Sequence, residues 1–316
     1  MPRIGTAKIC ISSVVTFKPA AQSISGIHHI TAIASDPQAN LDFYSGFLGL
    51  RLVKKTVNFD DPGTYHLYYG DRTGSPGSIL TFFPWPRARR GRPGPGQVSS
   101  VAFSVPLGSS GYWKDRAREF SVPVQEIEAE ALTLGLEDPD GLHLQLVESN
   151  VGPEGSNSIA GFHSAVLEVA DEHATQELLT RDFGWTGRGS RVTAPDPSGI
   201  GKQVQLKVSA DGATGRGGAG TIHHIAWRVP NADQQIAWRE RLIGLGYDVT
   251  PIVDRNYFES IYFREHGGIL FEIATDVPGF TVDESEEELG LNLKLPEQYE
   301  PIRERLERSL PPIRLN

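Results

Sequence analysis

The sequence predicts an α+β fold of four consecutive βαβββ modules that pair into two barrel-like domains. Three observations predict it. Nearly the same phrase stands near both ends of the chain, Gly26-Ile27-His28-His29-Ile30-Thr31-Ala32 and Thr221-Ile222-His223-His224-Ile225-Ala226-Trp227, set among apolar, β-branched residues as an opening strand would be. Two related openings lie between them, Val98-Ser99-Ser100-Val101-Ala102-Phe103 and Phe162-His163-Ser164-Ala165-Val166-Leu167, so units begin near residues 27, 98, 162 and 222. Each opening is followed by a turn-like break, a helix-periodic stretch and further strand-like runs.

The helical stretches are expected over 37–48, 110–119, 173–183 and 232–245. Apolar side chains recur there at spacings of three and four, as in Leu41, Tyr44 and Leu48, or in Ile236, the Arg239 stem and Ile243. Gly49, Gly184 and Gly246 stand where a helix C-cap is expected, each followed by a strand-like run. Closing strands are Tyr65-His66-Leu67-Tyr68-Tyr69 and Ser78-Ile79-Leu80-Thr81-Phe82-Phe83 in the first unit. Their counterparts in the last are Ser260-Ile261-Tyr262-Phe263 and Ile269-Leu270-Phe271-Glu272-Ile273. The expected division is an N-terminal extension over 1–24, modules one and two over 25–150, modules three and four over 151–280, and a C-terminal tail over 281–316. A glycine-rich linker is placed at 209–220; it lacks the Gly-Lys-Ser/Thr ending of a phosphate loop and leads into a strand. The basic run Arg87-Ala88-Arg89-Arg90-Gly91-Arg92 reads as a solvated, flexible connector. The tail reads as an acidic, solvated segment at 283–288 followed by a helix near 301–310.

Composition narrows the function classes. A formal charge of −9 argues against nucleic acid or an anionic membrane as partner. No apolar stretch approaches the roughly 20 residues of a membrane span. The single cysteine, Cys10, excludes an intramolecular disulfide and fits a reducing cytoplasm, which is the expected location.

Aligning the four units on one another singles out a site. At the second position of the His-His pair they carry His29, Ser100, Ser164 and His224. At the position of Glu272, taking the glycine before each closing strand as register, they carry Phe82, Gln145, Gln205 and Glu272. Metal-binding residue types coincide only in units one and four. For any one histidine the bland alternative is a satisfied core residue, and for Glu272 an edge position facing water. A carboxylate within an apolar strand, however, costs several kcal/mol unless paired or metal-bound, and a divalent cation removes that cost. Two imidazoles and one carboxylate leave about three octahedral positions open, the arrangement of non-haem iron(II) oxygenases. Zinc is the chemical competitor, but the helical His-Glu-x-x-His of zinc peptidases is missing. Strand parity forbids both members of a pair from ligating one metal without distortion, and does not say which member does.

The four units, the two Ile-His-His-Ile strands, Val57-Asn58-Phe59-Asp60-Asp61-Pro62, Tyr65-His66-Leu67-Tyr68-Tyr69-Gly70-Asp71 and the stretch from Asp254 to Glu272 resemble the vicinal-oxygen-chelate superfamily. The likeness covers nearly everything from Ser25 to Leu295, and within the superfamily it points to ring-cleaving dioxygenases that act on hydroquinones. The resemblance implies that His29, His224 and Glu272 hold Fe2+, or Mn2+, which the same ligand types accept. It implies that His28, His223, Arg255 and Tyr262 support the metal or touch the substrate. The histidines and Tyr262 are suitable acids and bases, and Arg255 a holder of a phenolate or product carboxylate. The partners it implies are a small aromatic substrate and O2, with a homo-oligomer left open. Phe82, Tyr68, Trp227 and Phe258, with Trp85, are expected to form a flat apolar pocket for the ring. The alternatives are a catechol extradiol dioxygenase, a glyoxalase-like metal-dependent isomerase or lyase, and a metal-free resistance protein that binds a small molecule. Catechol enzymes take their first histidine from the third unit, where this chain has Ser164 at the ligand register. The isomerase would need a second carboxylate, and a metal-free protein would leave the three ligands without a role.

Overall fold

The computed structural model describes residues 20–152, 155–209 and 213–315; Cys10 lies outside them. Unit one supplies β1 (Ile27–Ala34), β2 (Arg51–Val57), β3 (Tyr65–Gly70) and β4 (Ile79–Pro84), and unit two β5 (Gln97–Pro106), β6 (Val124–Ile127), β7 (Thr133–Glu137) and β8 (His143–Ser149). Unit three supplies β9 (Gly161–Val169), β10 (Thr186–Arg188), β11 (Arg191–Thr193) and β12 (Gln203–Val208), and unit four β13 (Thr221–Val229), β14 (Val253–Asp254), β15 (Phe258–Arg264) and β16 (Leu270–Pro278).

These strands make two eight-stranded sheets, ordered β14-β15-β16-β13-β1-β4-β3-β2 and β10-β11-β12-β9-β5-β8-β7-β6. Units one and four therefore build one sheet, and units two and three the other. The halves 25–150 and 151–280 do not coincide with the sheets, because opening strands pair with each other: β1 runs antiparallel to β13 with Ile30 opposite Ile225, and β5 to β9 with Val101 opposite Ala165. The opening strand of each unit also lies parallel to the last strand of that unit.

Helices cover the outer faces. In units one and three the expected helix begins as a short α-helix and widens into a π-helical turn: α1 (Pro37–Leu41) into 42–47, and, after α2 (Ser110–Glu119) of unit two, α3 (His173–Glu177) into 178–182. Asp36 caps α1 by accepting from the Ala39 backbone N–H. Gly49, Gly184 and Gly246 follow with φ of 69°, 78° and 91°, the left-handed conformation that ends a helix at little cost for glycine. Unit four's α4 (Ala232–Gly244) departs from the expected face. It buries Gln234, Gln235, Trp238 and Leu242, whereas Ile236 and Ile243 point outward. Polar side chains can face inward there because the Gln235 amide donates to the carbonyls of Glu259 and Ile273, and the Trp238 indole to that of Gln22. After Gly246 the chain forms no strand until the two residues of β14.

The connecting segments are fastened. Arg92 and Arg216 exchange backbone hydrogen bonds of 2.8 Å, and Arg90 bridges to Ala219, so the basic run and the end of the glycine-rich linker lie against each other rather than hanging free. Residues 20–24 of the expected extension also pack: Ile24 is buried, with its carbonyl accepting from the Trp185 indole. In the tail, Glu284 is buried against the fully buried Lys54 of β2, and Asp283 pairs with the same ammonium at 2.6 Å. The last helix of the tail is α5 (Arg303–Ser309). Among the described residues no helix is long and apolar enough to cross a membrane.

Candidate metal centre

The site forms on the seam between β1 and β13. Pairing along this seam skips His28 on one strand and His223 on the other: Ile27 faces Trp227 but His29 faces Ala226, and Thr31 faces His224 but Ala32 faces Ile222. Each skipped residue is a β-bulge, an extra residue that breaks strict alternation. Only one histidine of each pair turns toward the candidate metal position. Adjacent imidazoles are brought edge to edge, with Nδ1 to Nδ1 distances of 2.9 Å for His28 and His29, and 2.7 Å for His223 and His224.

That contact turns the other nitrogen of each second histidine inward. His29 Nε2 and His224 Nε2 are 3.3 Å apart, and lie 3.4 and 3.0 Å from the Oε2 oxygen of Glu272. Glu272 reaches them because β13 runs parallel to β16 with Ala226 opposite Glu272. Its Oε1 accepts the Ser260 hydroxyl, while its buried Oε2 has no hydrogen-bond partner. Among the described residues this is the one cluster of three or more potential ligands. The residues fit a divalent ion: metal bonds of about 2.1 Å place facial ligand atoms roughly 3.0 Å apart, and an unpartnered buried carboxylate oxygen is what such an ion would satisfy.

The electrostatics agree. Burial pushes the Glu272 carboxyl up, but His29 and His224 outweigh it and hold it well below the ordinary carboxylate range. Burial lowers His224 and His28, and takes His223 down to about 3. An ionised carboxylate is the protonation state a metal needs of Glu272.

The unit-by-unit register holds with one correction. In the parallel pairs, Gln145 stands opposite Ala102, Gln205 opposite Val166, and in unit one Thr81, not Phe82, stands opposite Thr31. Counting starts at the positive-φ glycines Gly77, Gly141, Gly201 and Gly268. The residue four positions on is Thr81, Gln145, Gln205 and Glu272, so Phe82 is one position too far. Phe82 therefore faces away, packed on Tyr44 and Tyr69 in the core. Trp227 is likewise core, against Phe183, Trp185 and Phe271. Neither of these expected ring contacts lines the cavity.

A cavity of about 280 Å³ opens on His29, His223 and His224, with Tyr68, Phe83, Trp85, Phe258, Arg255 and Tyr262 in its wall. His28 does not line it; its ring lies behind His29, edge-on to Phe258. The guanidinium of Arg255 donates to the Tyr262 hydroxyl and to Asp60, each at 3.2 Å, rather than pairing with Asp254 or Glu259. Sequence reasoning missed His66, Phe83 and the 58–61 loop as cavity residues. Alternation along β3 places His66 on the face of Tyr68 and is the signal that finds it. Against the second sheet lies a larger hollow of about 850 Å³, where Ser100 and Gln145 occupy the ligand registers.

The profile of the Glyoxalase/Bleomycin resistance protein/Dioxygenase superfamily matches residues 26–273. The chain belongs to that superfamily. MhqO of Bacillus subtilis, which carries the name ring-cleaving dioxygenase, is 47% identical over 92% of this chain and 97% of its own length. The chlorohydroquinone/hydroquinone 1,2-dioxygenase of Sphingobium indicum is 33% identical over 92% and 97%. A crystal structure of a Bacillus subtilis dioxygenase superposes with a TM-score of 0.88 at 47% identity, covering 94% of this chain and 99% of the other. Glyoxalase I from Zea mays, at 12% identity, a TM-score of 0.60 and coverage of 80% and 92%, shares the fold. With these relatives, the superfamily member described here is a dioxygenase, and the isomerase and resistance-protein alternatives fall away.

Proposed function

We propose that this dioxygenase opens the ring of a hydroquinone-type para-diphenol with O2, using Fe2+ held by His29, His224 and Glu272. The observation that carries the reading is the unpartnered Glu272 Oε2, facing two imidazole nitrogens at the end of a ring-sized, aromatic-walled cavity. The name of the Sphingobium relative supports the substrate class. Bound iron would supply the place where a ring oxygen and O2 meet and exchange electron density, so that no external reductant is needed.

The chain's own residues do the rest. Phe83, Trp85 and Phe258 offer flat faces to the ring and keep water from it. Tyr262 is held protonated by burial, above the ordinary phenol range, and the Arg255 contact fixes its hydroxyl as a positioned donor. Because Asp60 and Tyr262 already engage the guanidinium, Arg255 aims Tyr262 rather than waiting for a carboxylate. With His224 Nε2 given to the metal, His224 Nδ1–H donates to His223 Nδ1, so the neutral His223 lines the cavity with an Nε2–H that can donate to a ring oxygen.

Anaerobic purification with metal analysis, followed by oxygen-electrode traces with hydroquinone, methylhydroquinone and catechol, tests the reading. Bound iron and oxygen uptake with the hydroquinones are expected; protein without iron and without substrate-dependent uptake would sink it. Glu272→Gln is expected to abolish uptake and to lose the metal, and retention of both would remove the assignment of the ligands.

A further inference from the structure

One run of hydrogen bonds along the cavity wall has a fixed polarity. The Thr81 hydroxyl donates to Thr31 Oγ1 at 2.9 Å. Its single proton is thereby used, so the 2.8 Å contact between Thr81 Oγ1 and His66 Nε2 requires the imidazole to donate. His66, kept neutral by burial, then has a bare Nδ1. The Tyr68 hydroxyl, 2.8 Å away, must donate to it. Burial holds the Tyr68 phenol protonated, so the chain runs from Tyr68 through His66 and Thr81 to Thr31. Its result is a tyrosine oxygen in a cavity-lining residue whose proton is committed elsewhere and whose remaining lone pair can only accept.

Most other polar groups of the wall are engaged with one another. Arg255 holds Asp60 and Tyr262, and Asp61 accepts the Trp85 indole N–H at 2.8 Å. A para-diphenol brings two hydroxyls, one for the metal position and one at the opposite end of the ring. We propose that Tyr68 is the specificity-determining acceptor for that second hydroxyl, with His66, Thr81 and Thr31 as positioning residues that fix its polarity. The inference rests on the para-diphenol reading above. It assigns the class of accepted ring: one whose far substituent is a hydrogen-bond donor, in preference to the same ring ending in a methyl group.

Anaerobic calorimetric titration of the purified protein, its metal content measured, with hydroquinone and with p-cresol tests this without turnover. The two probes differ by one hydroxyl replaced by methyl. The wild type is expected to prefer hydroquinone roughly tenfold, the effect of one lost hydrogen bond with its partner left unsatisfied. Tyr68→Phe should bring the ratio close to one by weakening hydroquinone alone. Thr81→Val, remote from the ligand, should reduce the ratio, and Thr81→Ser should restore it. A wild type without preference, or a Tyr68→Phe protein that melts like the wild type and keeps the full ratio, would overturn the proposal. Oxygen uptake with hydroquinone alongside an unchanged ratio would leave the ring-opening reading standing while this assignment fails. A collapsed ratio without oxygen uptake would do the reverse.

Discussion

His28 and His223 are expected to act through the rings of their neighbours. Each meets the adjacent histidine Nδ1 to Nδ1, which fixes that ring's orientation and presents its Nε2 inward. Replacing such a partner typically weakens metal binding 10–100-fold, so His223→Phe should lose affinity by about that factor in a competition titration against a chelator. Unchanged affinity would show that the bulged contact does not orient His224. The three inward-facing residues were legible because a carboxylate stood in an apolar strand and the repeats could be compared with one another. Phe82 was misplaced by one residue: it stands five positions after Gly77, whereas Gln145, Gln205 and Glu272 each stand four after their glycines. Trp227 was misplaced because an aromatic residue on a two-sided buried strand gives no sign of which face it occupies.

At the scale of the element, the bulges and the π-helical turns were illegible. Each changes the count of residues per repeat by one without changing their chemistry, and a pattern argument assumes that count. The face of α4 was misread because glutamine looks like a surface residue until its amide finds two carbonyls in the sheet. The tail, read as solvated, closes on β2 through a lysine with no exposed surface. Removing one partner of a buried pair leaves the other uncompensated, at a cost of about 3–5 kcal/mol. Lys54→Met should therefore lower stability by that order in urea unfolding, and adding Glu284→Gln should recover much of it. A single variant within about 0.5 kcal/mol of wild type, as for an ordinary surface change, would mean the clasp contributes little.

At the scale of the whole molecule, the sequence foretold four units and two sheets but not their partnership. Neighbours in sequence are usually neighbours in space, and that default favours pairing in chain order. Here the opening strands choose their partners instead. One sheet consequently carries all three candidate ligands, while the other has serine and glutamine at the matching registers, so one metal ion per chain is expected. Metal analysis of protein of known concentration checks it; a second tightly held ion per chain would show that the 850 Å³ hollow also binds metal.

The nested order of the units has a consequence in time. During synthesis, domains generally fold as they emerge, N-terminal first. Here the sheet made of units two and three is complete once residue 208 is out, whereas β1, though it can pair early with β4, meets β13 only nearly two hundred residues downstream. His29 is thus made 195 residues before His224 and 243 before Glu272. The nascent chain holds a finished scaffold before it holds a place for a cation, and the candidate site cannot form until the last unit has closed on the first.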